Sequence, residues 1–150
     1  MTTQPDQIKV LFLCTGNSCR SQMAEGWARA LKPGLIQAWS AGVEPKALDP
    51  RAVRVMAEAG VDISGQRAKD VAELAGIAFD YVVTLCDHAR ESCPLFPGPV
   101  KRVHAGFPDP PHLARDARDE EEALGHYRRV RDQIQDFVAA MPGSLTNPPE

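Results

Sequence analysis

A thiol and a guanidinium lie six residues apart in Cys14-Thr15-Gly16-Asn17-Ser18-Cys19-Arg20-Ser21. This stretch, called the anion loop below, joins a short apolar run to an amphipathic pattern, as a strand-to-helix connection does. A helix start offers unpaired N–H groups and a partial positive charge, which bind oxyanions and favour a thiolate. Gly16 permits a tight turn, Asn17 tolerates left-handed backbone, and Arg20 can bind two oxyanion oxygens.

A Cys-x5-Arg match alone would also fit a buried cysteine and an unrelated surface arginine. The position between a strand and a helix favours the functional interpretation, with Cys14 as an activated nucleophile. The loop is then the oxyanion-binding site, formed by Thr15, Gly16, Asn17, Ser18, Cys19, Arg20 and Ser21. Nothing in the neighbours of Cys19 requires a reactive thiol there, so we treat its side chain as non-essential.

Two further thiols, Cys86 and Cys93, follow a later apolar run in Leu85-Cys86-Asp87-His88-Ala89-Arg90-Glu91-Ser92-Cys93-Pro94. They could be structural, or they could form a thiol relay, which needs one attacking thiol and one resolving thiol. Zinc is an alternative, since the chain has four cysteines and four histidines. The absence of Cys-x2-Cys and His-x3–5-His pairs argues against a zinc site, and we predict no metal.

An aspartate stands between prolines in Phe107-Pro108-Asp109-Pro110-Pro111-His112. The simplest interpretation is a rigid, proline-braced loop with an exposed carboxylate. Held over a bound oxyanion, however, Asp109 could protonate a departing oxygen, which is a poor leaving group until protonated. We therefore name Asp109 as the candidate general acid.

The composition limits the class of protein in which these residues can act. The chain has 150 residues, 43% of them apolar and 25% charged, with a net charge of −3. This fits one domain over residues 1–150 and gives no basic face for nucleic acid. No apolar stretch is long enough for a membrane span, and residues 1–7 are polar, without a signal region. We expect a cytoplasmic protein whose thiols are reduced.

Apolar patterning predicts strands that alternate with helices. Strands are expected at residues 8–13, 35–41, 80–85 and 100–104. Helices are expected at 23–31, from Asp49-Pro50 to Gly60, briefly around Val71 and Leu74, from 87 to 92, and from 121 to 141. This order is typical of an α/β parallel sheet covered on both faces. The ordered core should span about residues 8–141, between a polar N-terminal tail and a proline-rich C-terminal tail.

Ligands of parallel sheets bind beyond the carboxyl ends of the strands. Cys14, Cys86 and the loop after His104 all fall at that edge, so these distant residues should converge. Cys86 and Cys93 would lie roughly 10 Å apart along a continuous helix, at about 1.5 Å rise per residue. A disulfide needs Cα atoms within about 7 Å, so closing it would require that helix to unwind.

The stretch CTGNSCRSQMAEGW resembles the phosphate-binding loop of the low-molecular-weight tyrosine phosphatase superfamily. Over residues 8–141 the chain looks most like the thioredoxin-coupled arsenate reductases of that fold. The resemblance implies a four-stranded parallel sheet flanked by helices, with Cys14 as nucleophile and Arg20 as oxyanion clamp. Cys86 and Cys93 match the Cys-x6-Cys-Pro motif of the three-cysteine reductases, and Asp109-Pro110 matches the family's Asp-Pro acid.

Two departures from the phosphatases are informative. Where they typically carry aromatic residues after the Asp-Pro, this chain has Pro111-His112, which suggests a site for a small inorganic anion. Some relatives are expected to bind potassium through residues matching Asn17, Glu25 and Ser40 plus an aspartate. Lys69 takes the aspartate's place here, so its ammonium would replace the cation and we predict no potassium site.

Three functions remain open from the sequence. The first is arsenate reduction through Cys14, Cys86 and Cys93, recycled by thioredoxin, with no bound cofactor and with phosphate and sulfate as competing anions. The second is a phosphatase using Cys14, Arg20 and Asp109; weak phosphatase activity would be compatible with both. The third is a non-catalytic redox or anion sensor, which would need no acid. We expect a monomer that binds neither nucleic acid nor membrane.

Overall fold

The computed structural model describes residues 7–146, so residues 1–6 and 147–150 of the two expected tails lie outside the described residues. Four strands form one sheet: β1 (Ile8–Cys14), β2 (Ile36–Gly42), β3 (Tyr81–Thr84) and β4 (Lys101–His104). Their order is β2-β1-β3-β4, and every neighbouring pair is parallel. The predicted four-stranded parallel sheet is therefore confirmed, with Cys14 at the carboxyl end of the central strand β1.

Within residues 7–146, five α-helices accompany the sheet: α1 (Arg20–Leu31), α2 (Pro50–Glu58), α3 (Asp87–Glu91), α4 (Pro110–Leu113) and α5 (Glu120–Ala139). Asp49 begins α2 as predicted, since its side chain accepts a hydrogen bond from the Arg51 N–H at 2.9 Å. Gly60 follows α2 with a φ of 86°, which glycine adopts without strain. The expected short helix near Val71 is a 3-10 turn, Val71–Leu74.

An apolar cluster covers each face of the sheet, and the side chains of β1 alternate between the two clusters. Val10, Phe12 and Cys14 belong to a main cluster with α1, α2 and α5. Leu11 and Leu13 belong to a smaller cluster with the Val71–Leu74 turn and the α3 region. All of these β1 side chains are buried, as expected for the central strand of a parallel sheet.

The structure corrects the sequence prediction in two places. The segment 107–112 is not wholly a loop, because Asp109 is the residue that precedes α4 and Pro110 occupies its first turn, where proline is well suited. The core also extends beyond residue 141. A 3-10 turn, Gly143–Leu145, buries Leu145 in the main cluster, which anchors a segment expected to lie outside the fold.

Candidate active site

The anion loop is held by a segment that the sequence analysis did not identify, residues 43–49 after β2. Backbone N–H groups of this segment donate to the loop carbonyls: Val43 to Cys14 (3.2 Å), Glu44 to Thr15 (2.8 Å), Lys46 to Gly16 (2.8 Å) and Asp49 to Ser18 (2.9 Å). These bonds occupy the loop's backbone acceptors, so its N–H groups are the ones available to an oxyanion. The residue that could have indicated this close approach from the sequence is Gly42. A Cβ atom there would lie 2.7 Å from Thr15 O, which is too close for any other residue type.

Cys14 lies at the base of the loop and is only 3% exposed. Its Sγ is 2.9 Å from Ser21 Oγ, and Ser21 Oγ in turn accepts a hydrogen bond from Asn17 Nδ2 at 2.8 Å. With the Asn17 amide donating to it, the Ser21 hydroxyl keeps its own hydrogen available to the Cys14 sulfur. Asn17 has a φ of 49°, so the left-handed backbone expected from the sequence is confirmed.

Asn17 also ties the loop to the chain behind it. Its Oδ1 accepts the Lys69 N–H at 2.9 Å, and its carbonyl accepts Gln22 Nε2 at 2.8 Å. Within residues 7–146, no buried side-chain nitrogen or oxygen lacks a hydrogen-bond partner. A fully satisfied polar network of this kind fixes the loop in one conformation.

Arg20 and Asp109 face each other across the mouth of the loop. Arg20 Nη1 donates to Phe107 O at 3.0 Å, and Nη2 is 3.6 Å from Asp109 Oδ1. Both side chains line a cavity of about 290 Å³, together with Cys14, Thr15, Gly16, Ser18, Cys19, Lys46 and Pro111. The predicted nucleophile, clamp and acid thus share one small cavity, and none of these lining residues is aromatic.

Cys86 lies directly beside the anion loop. Its Sγ is 3.3 Å from Thr15 Oγ1, and it accepts the Ala89 N–H at 3.4 Å as the residue preceding α3. The cause is strand register, because Leu13 pairs with Thr84 and the Leu85 N–H donates to Leu13 O at 2.9 Å. The second thiol therefore reaches the same sheet edge as Cys14.

Cys93 lies on the other face of the sheet from Cys14. Cys86 packs against both apolar clusters, whereas Cys14 belongs to the main cluster and Cys93 to the smaller one. Burial raises the pKa of the Cys93 thiol, and the positive charge of Arg102 partly opposes that rise. All three thiols are free.

The helix expected between Cys86 and Cys93 is present as α3, and it is attached to β4 by contacts that the sequence did not reveal. His104 Nδ1 is 2.8 Å from Thr84 Oγ1, and its Nε2 is 3.3 Å from Asp87 Oδ1. Arg90 Nη2 also lies 3.4 Å from Asp87 Oδ1. Among residues 7–146, no three histidine, cysteine or acidic side chains are grouped so that they could hold a metal ion.

The fourth thiol, Cys19, is buried at the start of α1. Burial, followed by the negative charge of Asp49, raises the pKa of Cys19 well above its ordinary value. Tyr127 lies near this group and donates to Asp49 Oδ2 at 2.6 Å. The Cys19 side chain is thus in an environment that keeps it a neutral thiol.

Lys69 lies beside Glu25, where the sequence analysis expected its ammonium to take the place of a potassium ion. Its Nζ is 3.9 Å from Glu25 Oε1, which also accepts the Ser40 hydroxyl at 2.6 Å. Arg29 Nη2 binds the other Glu25 oxygen at 2.8 Å. Two side-chain cations therefore surround the buried Glu25 carboxylate, and burial lowers the pKa of Lys69.

The sequence matches the family model described as low molecular weight phosphotyrosine protein phosphatase over residues 9–147. The chain belongs to this family. Its relatives include an arsenate reductase of Bacillus subtilis (strain 168), 48% identical over 125 residues, which cover 83% of this chain and 88% of that protein. An arsenate reductase of Staphylococcus epidermidis (strain ATCC 12228) is 38% identical over 133 residues, or 89% of this chain and 95% of the relative.

Solved structures agree with this assignment. An arsenate reductase in the phosphate-binding state superposes with a TM-score of 0.72 at 31% identity, covering 93% of this chain and 99% of that one. A low molecular weight protein tyrosine phosphatase from T. tengcongensis gives a TM-score of 0.67 at 29% identity, covering 88% and 95%. The fold is shared by both enzyme types, and the similar sequences reported above are arsenate reductases. No helix within residues 7–146 has the length and apolar character to cross a membrane.

Proposed function

We propose that this protein reduces arsenate to arsenite through a Cys14, Cys86 and Cys93 relay recycled by thioredoxin, and so contributes to arsenic resistance. The observation that carries the proposal is the 3.3 Å contact between Cys86 Sγ and Thr15 Oγ1, which places a second thiol against the anion loop. A phosphatase needs no thiol there. The similarity to arsenate reductases supports the same choice.

The first step is nucleophilic. The Cys14 thiolate attacks the arsenic atom of arsenate and forms a sulfur–arsenic bond, while one oxygen departs as water with a proton from Asp109. Arg20 and the N–H groups of the anion loop bind the remaining oxygens. The cavity they share and the 3.6 Å separation of Arg20 Nη2 from Asp109 Oδ1 support these roles.

The second step transfers electrons. The Cys86 thiolate attacks Cys14 Sγ, a disulfide forms, and the electron pair of the sulfur–arsenic bond stays on arsenic, which leaves as arsenite. The Cys93 thiolate then attacks Cys86 Sγ and releases the Cys14 thiolate, leaving a Cys86–Cys93 disulfide. Cys86 packs against both apolar clusters, the one that contains Cys14 and the one that Cys93 packs against, and this supports its role as the thiol that reacts with each.

Thioredoxin then returns two electrons and two protons to the Cys86–Cys93 disulfide, so the cycle requires no bound cofactor. Leu95, two residues after Cys93, is 91% exposed and offers an apolar contact for such a partner. The relay needs reduced thiols, which a cytoplasmic location would provide. Thioredoxin can be replaced in principle by a glutaredoxin or a small thiol, and the assay below distinguishes them.

The substrate is a small inorganic anion rather than an aryl phosphate. The cavity of about 290 Å³ has Lys46 and Pro111 at its lining and no aromatic side chain among its lining residues. Phosphate and sulfate compete because they present the same tetrahedral oxygens to the loop. A weak phosphatase side activity follows, in which water hydrolyses a Cys14 phosphoryl intermediate.

The deciding assay is arsenate-dependent NADPH oxidation with thioredoxin and thioredoxin reductase, compared with glutathione, glutaredoxin and glutathione reductase. We expect oxidation with the thioredoxin system and one arsenite formed per NADPH. Activity only with glutaredoxin would replace the reductant but retain the chemistry. No arsenate-dependent oxidation with either system, alongside rapid hydrolysis of aryl phosphates, would favour the phosphatase.

A further inference from the structure

Lys46 is the one lysine that lines the anion cavity, and nothing in the sequence pattern indicated it. Its N–H donates to Gly16 O at 2.8 Å, which fixes its backbone against the anion loop. A Cβ atom at Gly16 would lie 3.5 Å from both Cγ and Cδ of Lys46, so the aliphatic stem covers Gly16. The side chain therefore runs along the loop toward the cavity mouth.

The negative charges around a bound oxyanion favour a second cation in addition to Arg20. A dianionic oxyanion beside the Cys14 thiolate brings three negative charges together. Facing them are the Arg20 guanidinium and the partial charge of about +0.5 at the start of α1. Arg20 Nη2 also lies 3.6 Å from Asp109 Oδ1, so the guanidinium is shared between the oxyanion and the acid.

The Lys46 ammonium is available to bind an oxyanion. Within the part of the chain that the structure describes, no carboxylate lies within 4.0 Å of its Nζ, whereas Lys69, the other lysine near the loop, is close to Glu25. Lys46 is exposed, so its ammonium stays hydrated and mobile at the end of an anchored stem. An anchored backbone with a mobile cationic tip is suited to capturing a small anion from solvent.

We propose that Lys46 is an anion-capturing residue, which attracts the tetrahedral oxyanion to the cavity and binds one of its oxygens opposite Arg20. This deepens the proposed function and rests on it only for the identity of the substrate, because phosphate, arsenate and sulfate share the recognised chemistry. Capture by a solvated cation acts on association and on affinity, and both depend on ionic strength.

The test compares Lys46→Gln with Lys101→Gln, using protection of Cys14 from alkylation by inorganic phosphate. Lys46→Gln removes the charge and retains most of the stem over Gly16. Lys101→Gln makes the same charge change at the start of β4, the opposite end of the sheet. We expect the apparent phosphate dissociation constant to rise about tenfold in Lys46→Gln, with a weaker salt dependence, and to stay unchanged in Lys101→Gln. Lys46→Arg should restore binding.

In the thioredoxin assay, Lys46→Gln should raise the arsenate KM with little change in kcat. Equal phosphate protection in Lys46→Gln and Lys101→Gln, with equal salt dependence, overturns the proposal. So does a failure of Lys46→Arg to restore affinity, because the role is then not one of charge. If the parent protein reduces no arsenate, the proposed function fails, yet phosphate protection of Cys14 still decides the role of Lys46.

Discussion

The anion loop and the redox segment, residues 86–97, lie at the same sheet edge and differ in how they are held. The anion loop has its carbonyls bound by residues 43–49 and its polar side chains linked through Asn17. The redox segment contains a helix of five residues and ends near the exposed Leu95. From this difference we expect the anion loop to be preorganised for the proposed anion chemistry and the redox segment to rearrange in the proposed disulfide exchange.

The largest expected effect comes from the preorganised region. Cys14→Ser should lower arsenate reduction and any phosphatase activity by roughly 10⁴-fold or more, because both begin with the thiolate and a serine hydroxyl is hardly ionised. The measurement is kcat for both reactions on purified variants, with circular dichroism to confirm folding. Appreciable turnover by Cys14→Ser would exclude Cys14 as the nucleophile.

Next is a change confined to the redox segment. Cys86→Ser should eliminate multiple-turnover arsenate reduction but leave phosphatase activity within about threefold of the parent, since Cys86 lies outside the anion loop and a serine hydroxyl can keep the contact with Thr15 Oγ1. Cys19→Ser serves as the matched control, because it makes the same change to a thiol within the anion loop that has no part in the proposed relay. Parental arsenate reduction by Cys86→Ser with thioredoxin would refute the relay and favour the phosphatase.

The comparison is sharpened by amide hydrogen exchange on the reduced and oxidised protein. Residues 87–97 should lose protection on oxidation, because α3 (Asp87–Glu91) lies between the two cysteines and we expect closure of a Cys86–Cys93 disulfide to unwind it. That unwinding also breaks the contact of Asp87 with His104. β1 and α5 should exchange equally in both states. Identical protection of residues 87–97 in the two states would contradict the rearrangement.

The smallest expected effect concerns Cys19. Cys19→Ala retains the backbone N–H at the loop, so arsenate kcat/KM should change less than about threefold and stability should fall by about 1 kcal/mol. Burial and Asp49 raise the Cys19 pKa, so in the folded parent this thiol stays protonated as pH rises through the ordinary thiol range. Mass spectrometry after alkylation at increasing pH checks this; early labelling of Cys19 would show that it is reactive.

The elements were predictable where local pattern determines them. The buried run of β1, the Asp49-Pro50 start of α2 and the apolar face of α5 each follow from periodicity or helix capping. Convergence of Cys14 and Cys86 also followed from the sequence, because parallel strands bring their carboxyl ends to one edge. The roles of Cys14, Arg20, Cys86, Cys93 and Asp109 in the reaction remain predictions.

The unpredicted features depend on contacts between distant parts of the chain. Residues 43–49 have no apolar periodicity, and their function as a support appears only when β2 pairs with β1. The same holds for Lys46 at the cavity, for the His104 contact with Asp87 and for Leu145 in the core. No local sequence pattern encodes which side chain meets which across such separations.

The central claim is tested most directly by one turnover of Cys93→Ser. Reduced Cys93→Ser, mixed with excess arsenate and without thioredoxin, should release one arsenite per protein and stop as a Cys14–Cys86 disulfide, identified by peptide mass spectrometry under acid quench. The variant lacks the resolving thiol, so the intermediate has no exit. Absence of the Cys14–Cys86 disulfide, together with absence of stoichiometric arsenite, would contradict the relay.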